Sequence, residues 1–285
     1  MSTQEQQNPS AADPAETIGP ARGTLVIVGG GEIGPEIWNR FIALAGGADA
    51  RIVVIPTAQE DGGVASGDKT AADLERHGVR YVRTLHTRDP KEADTEAFTA
   101  PLREATGVWF TGGRQWRIAD AYLNTRTQRE FEALLARGGV IGGTSAGATI
   151  QGSFLARGDT AGNELLIGDH VEGFAFVKNS AIDQHLLRRN RQFDLIPVIE
   201  TYPDLLGIGI DEGTAAFVQG NSLEVVGASY VAIYDAQTWG DGEKSPNKAA
   251  TKGKYYLLAP AEKFDLKTRT IVPREDKTEN SKASA

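Results

Sequence analysis

The chain has 285 residues, no cysteine, and 38 acidic against 30 basic side chains, for a formal charge of −8. Disulfides, thiolate metal sites and a cysteine nucleophile are therefore excluded, and a nucleic-acid surface, which needs clustered Lys and Arg, is not expected. No apolar run approaches the ~18–20 residues of a membrane span, and residues 1–22, polar and without a signal-peptide hydrophobic segment, read as a disordered tail on a cytoplasmic protein.

A single α/β domain is expected over 23–274, followed by a second loose tail at 275–285. Residues 24–28 form a continuous apolar run ending in Gly29-Gly30-Gly31, the pattern of a buried strand, and Pro35 suits the first turn of a helix over 35–45. A second buried strand, 51–55, closes at Pro56. Helix is expected at 69–77, strand at 79–85, helix at 90–104, and strand at 108–110 running into Thr111-Gly112-Gly113. Helices at 115–123 and 127–137 precede the strand Val140-Ile141, which enters Gly142-Gly143-Thr144-Ser145-Ala146-Gly147-Ala148 and a helix to about residue 155. This alternation predicts a mostly parallel sheet sandwiched by helices. Beyond 156 come a helix near 186–200 and closely spaced strands at 207–210, 215–218, 223–226 and 230–234, read as an antiparallel extension of that sheet.

Ser145, between Gly143 and Gly147, makes a G-x-S-x-G nucleophile elbow, a strained strand-to-helix turn that lifts a serine hydroxyl clear of the backbone. Small neighbours let a carbonyl approach, and the backbone N–H groups of Ala146 and of the Gly112-Gly113 loop are the expected oxyanion donors. Ligands of open α/β sheets bind beyond the carboxyl ends of the strands, so the loops at 29–31, 111–113 and 142–143 are expected to converge. The first loop also satisfies G-x-G-x-x-G from Gly29 to Gly34. A dinucleotide site needs an acid at the end of the second strand, where this chain has Pro56-Thr57-Ala58. Close packing beside the elbow is the better reading of those glycines.

A serine nucleophile needs a base. Of the 4 histidines, His77 and His86 fall in helix and strand contexts, and His170 in a loop expected to be exposed. His185 follows Asp183-Gln184 at the end of an apolar approach, with Arg188, Arg189 and Arg191 close behind, the composition of a lined pocket. Asp211 and Glu212 both offer the carboxylate that orients an imidazole, and spacing does not choose between them. The order serine, histidine, acid opposes the α/β-hydrolase fold, whose acid precedes its histidine.

Four segments together resemble the cyanophycinase family of serine peptidases, which also holds the α-aspartyl dipeptidases. They are Gly142 to Ala148, Phe110-Thr111-Gly112-Gly113-Arg114-Gln115, Asp183-Gln184-His185 with Arg189-Asn190-Arg191, and Ile210-Asp211-Glu212-Gly213-Thr214-Ala215. The resemblance covers roughly residues 23–235. It implies a class I glutamine-amidotransferase-like α/β fold, a homodimer, no metal or cofactor, and a Ser-His-Glu triad falling on Ser145, His185 and Glu212. It further implies that Gln115, Asp183, Gln184, Arg189 and Arg191 bind substrate. That substrate would be cyanophycin, a polyaspartate carrying β-linked arginine, released as β-Asp-Arg dipeptides by an exopeptidase through an acyl-enzyme. On this reading Asp183 meets the substrate arginine, and Arg189 and Arg191 its carboxylates. Two positions depart from the family pattern: Asp194 stands where a further arginine is usual, and Arg114 where an acid or amide is usual. The alternatives are an α-aspartyl dipeptidase-like enzyme or another acidic-peptide hydrolase, and a ligand-binding homologue without the chemistry.

Overall fold

The computed structural model describes residues 17–61, 64, 66–239 and 254–273. Its first half runs β1 (Thr24–Val28), α1 (Pro35–Leu44), β2 (Arg51–Ile55), α2 (Ser66–Arg76), β3 (Tyr81–Thr84), α3 (Pro90–Ala93) and α4 (Glu96–Glu104). It continues through β4 (Gly107–Phe110), α5 (Gln115–Tyr122), α6 (Arg126–Ala136), β5 (Val140–Thr144) and α7 (Ala146–Thr149). Strands β1, β5, β4, β2 and β3 lie side by side, each pair parallel. Leu25 and Ile27 face one apolar cluster while Val26 and Val28 face another, and β2 divides its side chains the same way. Burial on both faces is why these strands read as unbroken apolar runs.

The second half contributes β6 (Gly152–Phe154), β7 (Val177–Gln184), α8 (Ile196–Thr201), β8 (Leu206–Ile210), β9 (Thr214–Gln219) and β10 (Ser222–Gly227). After these come β11 (Val231–Asp235), β12 (Tyr256–Leu258), β13 (Lys263–Asp265) and β14 (Thr270–Val272). Among the described residues the strands form a nine-stranded sheet, ordered β14-β13-β10-β9-β1-β5-β4-β2-β3, and a five-stranded sheet, ordered β12-β11-β8-β7-β6. The antiparallel extension is thus present, yet only β9, β10, β13 and β14 join the parallel sheet. Strands β8 and β11 belong to the second sheet, where Ile208, Ile210, Val231 and Ile233 pack into the same core as Leu25 and Ile27.

Three expected helices differ. The helix expected to continue to residue 155 stops at Thr149, because Gly152 and Phe154 pair with β7 instead. The helix expected at 90–104 divides, since the Asp89 and Thr95 side chains cap separate starts by accepting from Lys91 N and Phe98 N. The helix expected at 186–200 reduces to α8, because His185 and Asn190 adopt φ of 55° and Pro197 fits only a helix start. Thr17–Arg22, assigned to the N-terminal tail, instead lie against the body: Thr17 is buried, and the Ile18 N–H donates to Asn221 Oδ1 at 2.9 Å. The rest of that tail and residues 275–285 lie outside the described residues. Among the described residues no helix is long and apolar enough to cross a membrane.

Candidate active site

Because β1, β5 and β4 are neighbours, their C-terminal loops meet, as the fold logic required. Ser145 occupies the turn from β5 into α7 at φ 56° and ψ −112°, a conformation L-residues hold only where the surroundings enforce it. Its N–H donates to the Val28 carbonyl at 3.0 Å, which ties the elbow to β1. Gly112 lies directly against it: a Cβ built there would stand 3.3 Å from Ser145 Cβ and 3.8 Å from its Oγ. Gly112 therefore borders the hydroxyl, and α7 opens at the next residue, Ala146.

His185 and Glu212 arrive from the second sheet. β7 ends at Gln184, and the His185 N–H donates to the Gly29 carbonyl at 2.8 Å. Ser145 Oγ stands 2.9 Å from His185 Nε2, and His185 Nδ1 stands 2.5 Å from Glu212 Oε1. The glycines at 29–31 pack against His185, Asp211 and Glu212. A Cβ on Gly30, which has φ 115°, would come within 2.2 Å of the His185 ring. Burial holds the imidazole below its ordinary pKa, and the charges of Arg189 and Arg191 add to that, opposed by the Glu212 hydrogen bond. A neutral imidazole touching a serine hydroxyl on one nitrogen and a carboxylate on the other can accept a proton and then return it.

The neighbouring acid, Asp211, has a different task. Its Oδ1 accepts the N–H groups of Leu187 and Arg188, each at 2.9 Å, and its Oδ2 accepts the Ser229 hydroxyl at 2.7 Å. It caps the turn that carries His185. Ser229 and this capping role carry no sequence signal beyond an acid beside a turn.

The residues expected to bind substrate are mostly committed to the protein itself. Asp183 is fully buried, and both its oxygens are taken by Arg157, Nε to Oδ1 at 2.8 Å and Nη2 to Oδ2 at 3.0 Å. The carboxylate expected to meet a substrate arginine is thus already paired, through both its oxygens, with a guanidinium of the protein itself. Gln184 Oε1 accepts from Arg191 Nη1 at 3.0 Å, and both residues are buried. Gln115 is buried too, its Nε2 donating to the carbonyls of Ala156 and Arg157 at 2.8 Å, while its Oε1 has no partner among the described residues. Arg189 is exposed beside the His185 turn. Asp194, the departure from the family pattern, receives Arg157 Nη2 at 2.5 Å. Arg157, which sequence reasoning missed, had no signal to find it by: a single arginine between Ala156 and Gly158 resembles any loop cation.

The remaining histidines stand apart. His77 Nδ1 contacts the Asp73 carbonyl, and His86 Nδ1 the Thr57 hydroxyl. His170, expected in an exposed loop, is only 25% exposed and lies between Asp169 and Asp120, at 2.9 and 2.8 Å.

Residues 24–226 match the model of peptidase family S51. The chain belongs to that family. Among curated proteins it is similar to the cyanophycinase of Geminocystis herdmanii, 32% identical over 76% of this chain and 82% of that one. It is 31% identical to the cyanophycinase of Trichormus variabilis over 87% of both chains. Among solved structures, a peptidase from an acI-B1 Actinobacterium superposes with a TM-score of 0.64 at 23% identity, covering 86% of this chain and 97% of that one. A putative peptidase E protein from Listeria monocytogenes superposes at 0.52 with 20% identity, over 73% of this chain and all, 100%, of that one. These two likenesses concern the fold alone.

Proposed function

We propose that this S51 peptidase is a serine-type exopeptidase that cleaves peptide bonds at aspartyl residues through an acyl-enzyme. The observation that carries the reading is the continuous contact from Ser145 Oγ through His185 to Glu212, at 2.9 and 2.5 Å. In this mechanism Ser145 attacks the scissile carbonyl as His185 Nε2 takes its proton. Glu212 holds the imidazole in the tautomer that leaves Nε2 free and stabilises the imidazolium. The oxyanion of the tetrahedral intermediate accepts from Ala146 N–H and from the Gly112-Gly113 loop. His185 then protonates the leaving amine, and a water activated by the same imidazole releases the acyl group.

The site's position at the C-terminal edge of β1, β5 and β4 also supports the class I glutamine-amidotransferase-like assignment, and a homodimer is the proposed assembly. Cyanophycin is the substrate favoured by the names of the curated relatives. The commitment of Asp183 to Arg157 favours an aspartyl peptide without arginine branches. Incubating the protein with cyanophycin and with α-Asp-Leu, and identifying products by mass spectrometry, separates the two. A phosphonate adduct on Ser145 supports the serine chemistry, and turnover surviving in Ser145→Ala removes it.

A further inference from the structure

Arg157 is a buried and heavily hydrogen-bonded charge, and the proposed chemistry does not use it. It is 1% exposed, at φ 58°. Besides its paired bonds to Asp183 and the bond to Asp194, its Nη1 donates to the Asn163 carbonyl at 2.8 Å. Asp183 Oδ1 also accepts the Gln184 N–H at 2.9 Å, so both oxygens of this carboxylate are engaged within the protein. A guanidinium gripped by a bidentate carboxylate and a second acid is what a bound arginine side chain would itself look like.

Along the chain this cluster adjoins the segments that carry the reacting groups. Asp183 stands two residues before His185 on the same strand run. Gln115, which holds the Arg157 carbonyl, opens the helix that follows the Gly112-Gly113 loop beside Ser145. Arg191 Nη1 lies 4.0 Å from Asp183 Oδ1, so two cations already face two acids, Asp183 and Asp194. The cluster is neutral as it stands. A third guanidinium would enter with no carboxylate to meet it, and an uncompensated buried charge is strongly unfavourable.

We infer that Arg157 is a resident cation that closes the Asp183 pocket to guanidinium, so that this enzyme discriminates against arginine-bearing aspartyl peptides in favour of those with an uncharged side chain. The inference rests on the aspartyl-peptidase reading of the site, and its test does not require turnover. Binding of β-Asp-Arg and of β-Asp-norleucine, whose side chain is shorter and uncharged, is measured on the full chain by calorimetry. Wild type is expected to bind the norleucine dipeptide at least about tenfold more tightly, the scale of one mismatched buried group.

Arg157→Ala should reverse that ratio, and ethylguanidinium added to this variant should restore it while leaving wild type unaffected. Arg157→Met, which keeps the hydrocarbon volume, should shift the ratio the same way. Asp194→Asn, at a partly exposed position, should deepen the discrimination, because it leaves the cluster positive. A purely structural role for Arg157 predicts no such opposition of sign. Wild type binding β-Asp-Arg as tightly as its partner overturns the inference even if no Arg157 variant folds, and so does binding of neither dipeptide. An unreactive Ser145 would remove the peptidase reading while leaving the binding result intact.

Discussion

The two sides of this site are built by different means. On the nucleophile side, position comes from backbone over a few residues: a positive φ at Ser145, one hydrogen bond to Val28, and glycines where neighbours press. On the recognition side it comes from side-chain ion pairs between segments 26 and 37 residues apart, Arg157 to Asp183 and Arg157 to Asp194. A turn can be read from adjacent letters. A charge pocket depends on which distant side chain reaches it first. The chemistry of such a peptidase can therefore stay fixed while its preference changes through one loop residue.

The widest gap between the two sides should appear on removing the nucleophile. Ser145→Ala should lower kcat by about 10^4–10^6-fold with an unchanged unfolding curve, since only the attacking group is lost. Next come the adjacent acids, which the structure gives separate tasks. Glu212→Gln should cost about 10^4-fold in kcat, by favouring the wrong tautomer of His185, with little loss of stability. Asp211→Ala should do the reverse, losing about 0.5–2 kcal/mol in urea denaturation, the scale of a lost cap, with a much smaller fall in kcat. If the two variants exchange these signatures, the assignment of Glu212 to the imidazole is wrong.

The parallel strands were legible because burial on both faces leaves apolar runs that turn residues interrupt. The elbow was legible because its geometry demands small residues at fixed spacing. The choice of Glu212 over Asp211 was not available from spacing, since both acids end the same strand and only the direction of each side chain separates them. The assignment of β8 and β11 to a second sheet was also hidden: a hairpin's sequence does not say which sheet its strands join. The 186–200 helix was over-read, because Leu186 and Leu195 supply buried apolar positions without helical backbone between them. The expectation that Asp183 would meet substrate failed to anticipate Arg157, whose burial is a tertiary fact.

A smaller effect tests how tightly the backbone side is packed. Gly30→Ala places a methyl group where the His185 ring stands, and the ring is the part that can rotate away. At φ 115° an alanine is itself strained, so the variant should lose stability as well, and kcat should fall by about 10²-fold, the scale of a misplacement near 1 Å. Smaller again is the electrostatic contribution of the exposed arginine. Activity needs neutral His185, so the acid limb of kcat/KM should lie below the ordinary histidine value of 6.5. Arg189→Gln removes a positive charge that disfavours the imidazolium, so the limb should move to higher pH. A limb that moves down, or stays in place, would show that Arg189 does not act on His185 through its charge.

The subtlest expected effect lies in the loop that carries Arg157. His170 is held between Asp169 of that loop and Asp120 of α5, with its ring 6.0 Å from the Trp116 ring. Burial opposes its protonation, but the hydrogen bonds and charges of the two carboxylates prevail, and its pKa is raised. The folded state therefore binds this proton more tightly than the unfolded chain, and the stabilisation is fully present below the ordinary value of 6.5. It is lost as pH rises through the raised folded value. Asp169, held at about 2 chiefly by the Thr160 hydroxyl, remains ionised throughout, so the change belongs to the imidazole. Hydrogen exchange at the His170 and Thr160 amides, which bond the Gly158 carbonyl and Asp169 Oδ1, should accelerate across that window beyond the intrinsic effect of pH. His170→Gln should flatten the dependence. If exchange there follows only intrinsic chemistry in both proteins, the clamp does not hold the loop, and the Arg157 ion pairs alone set its position.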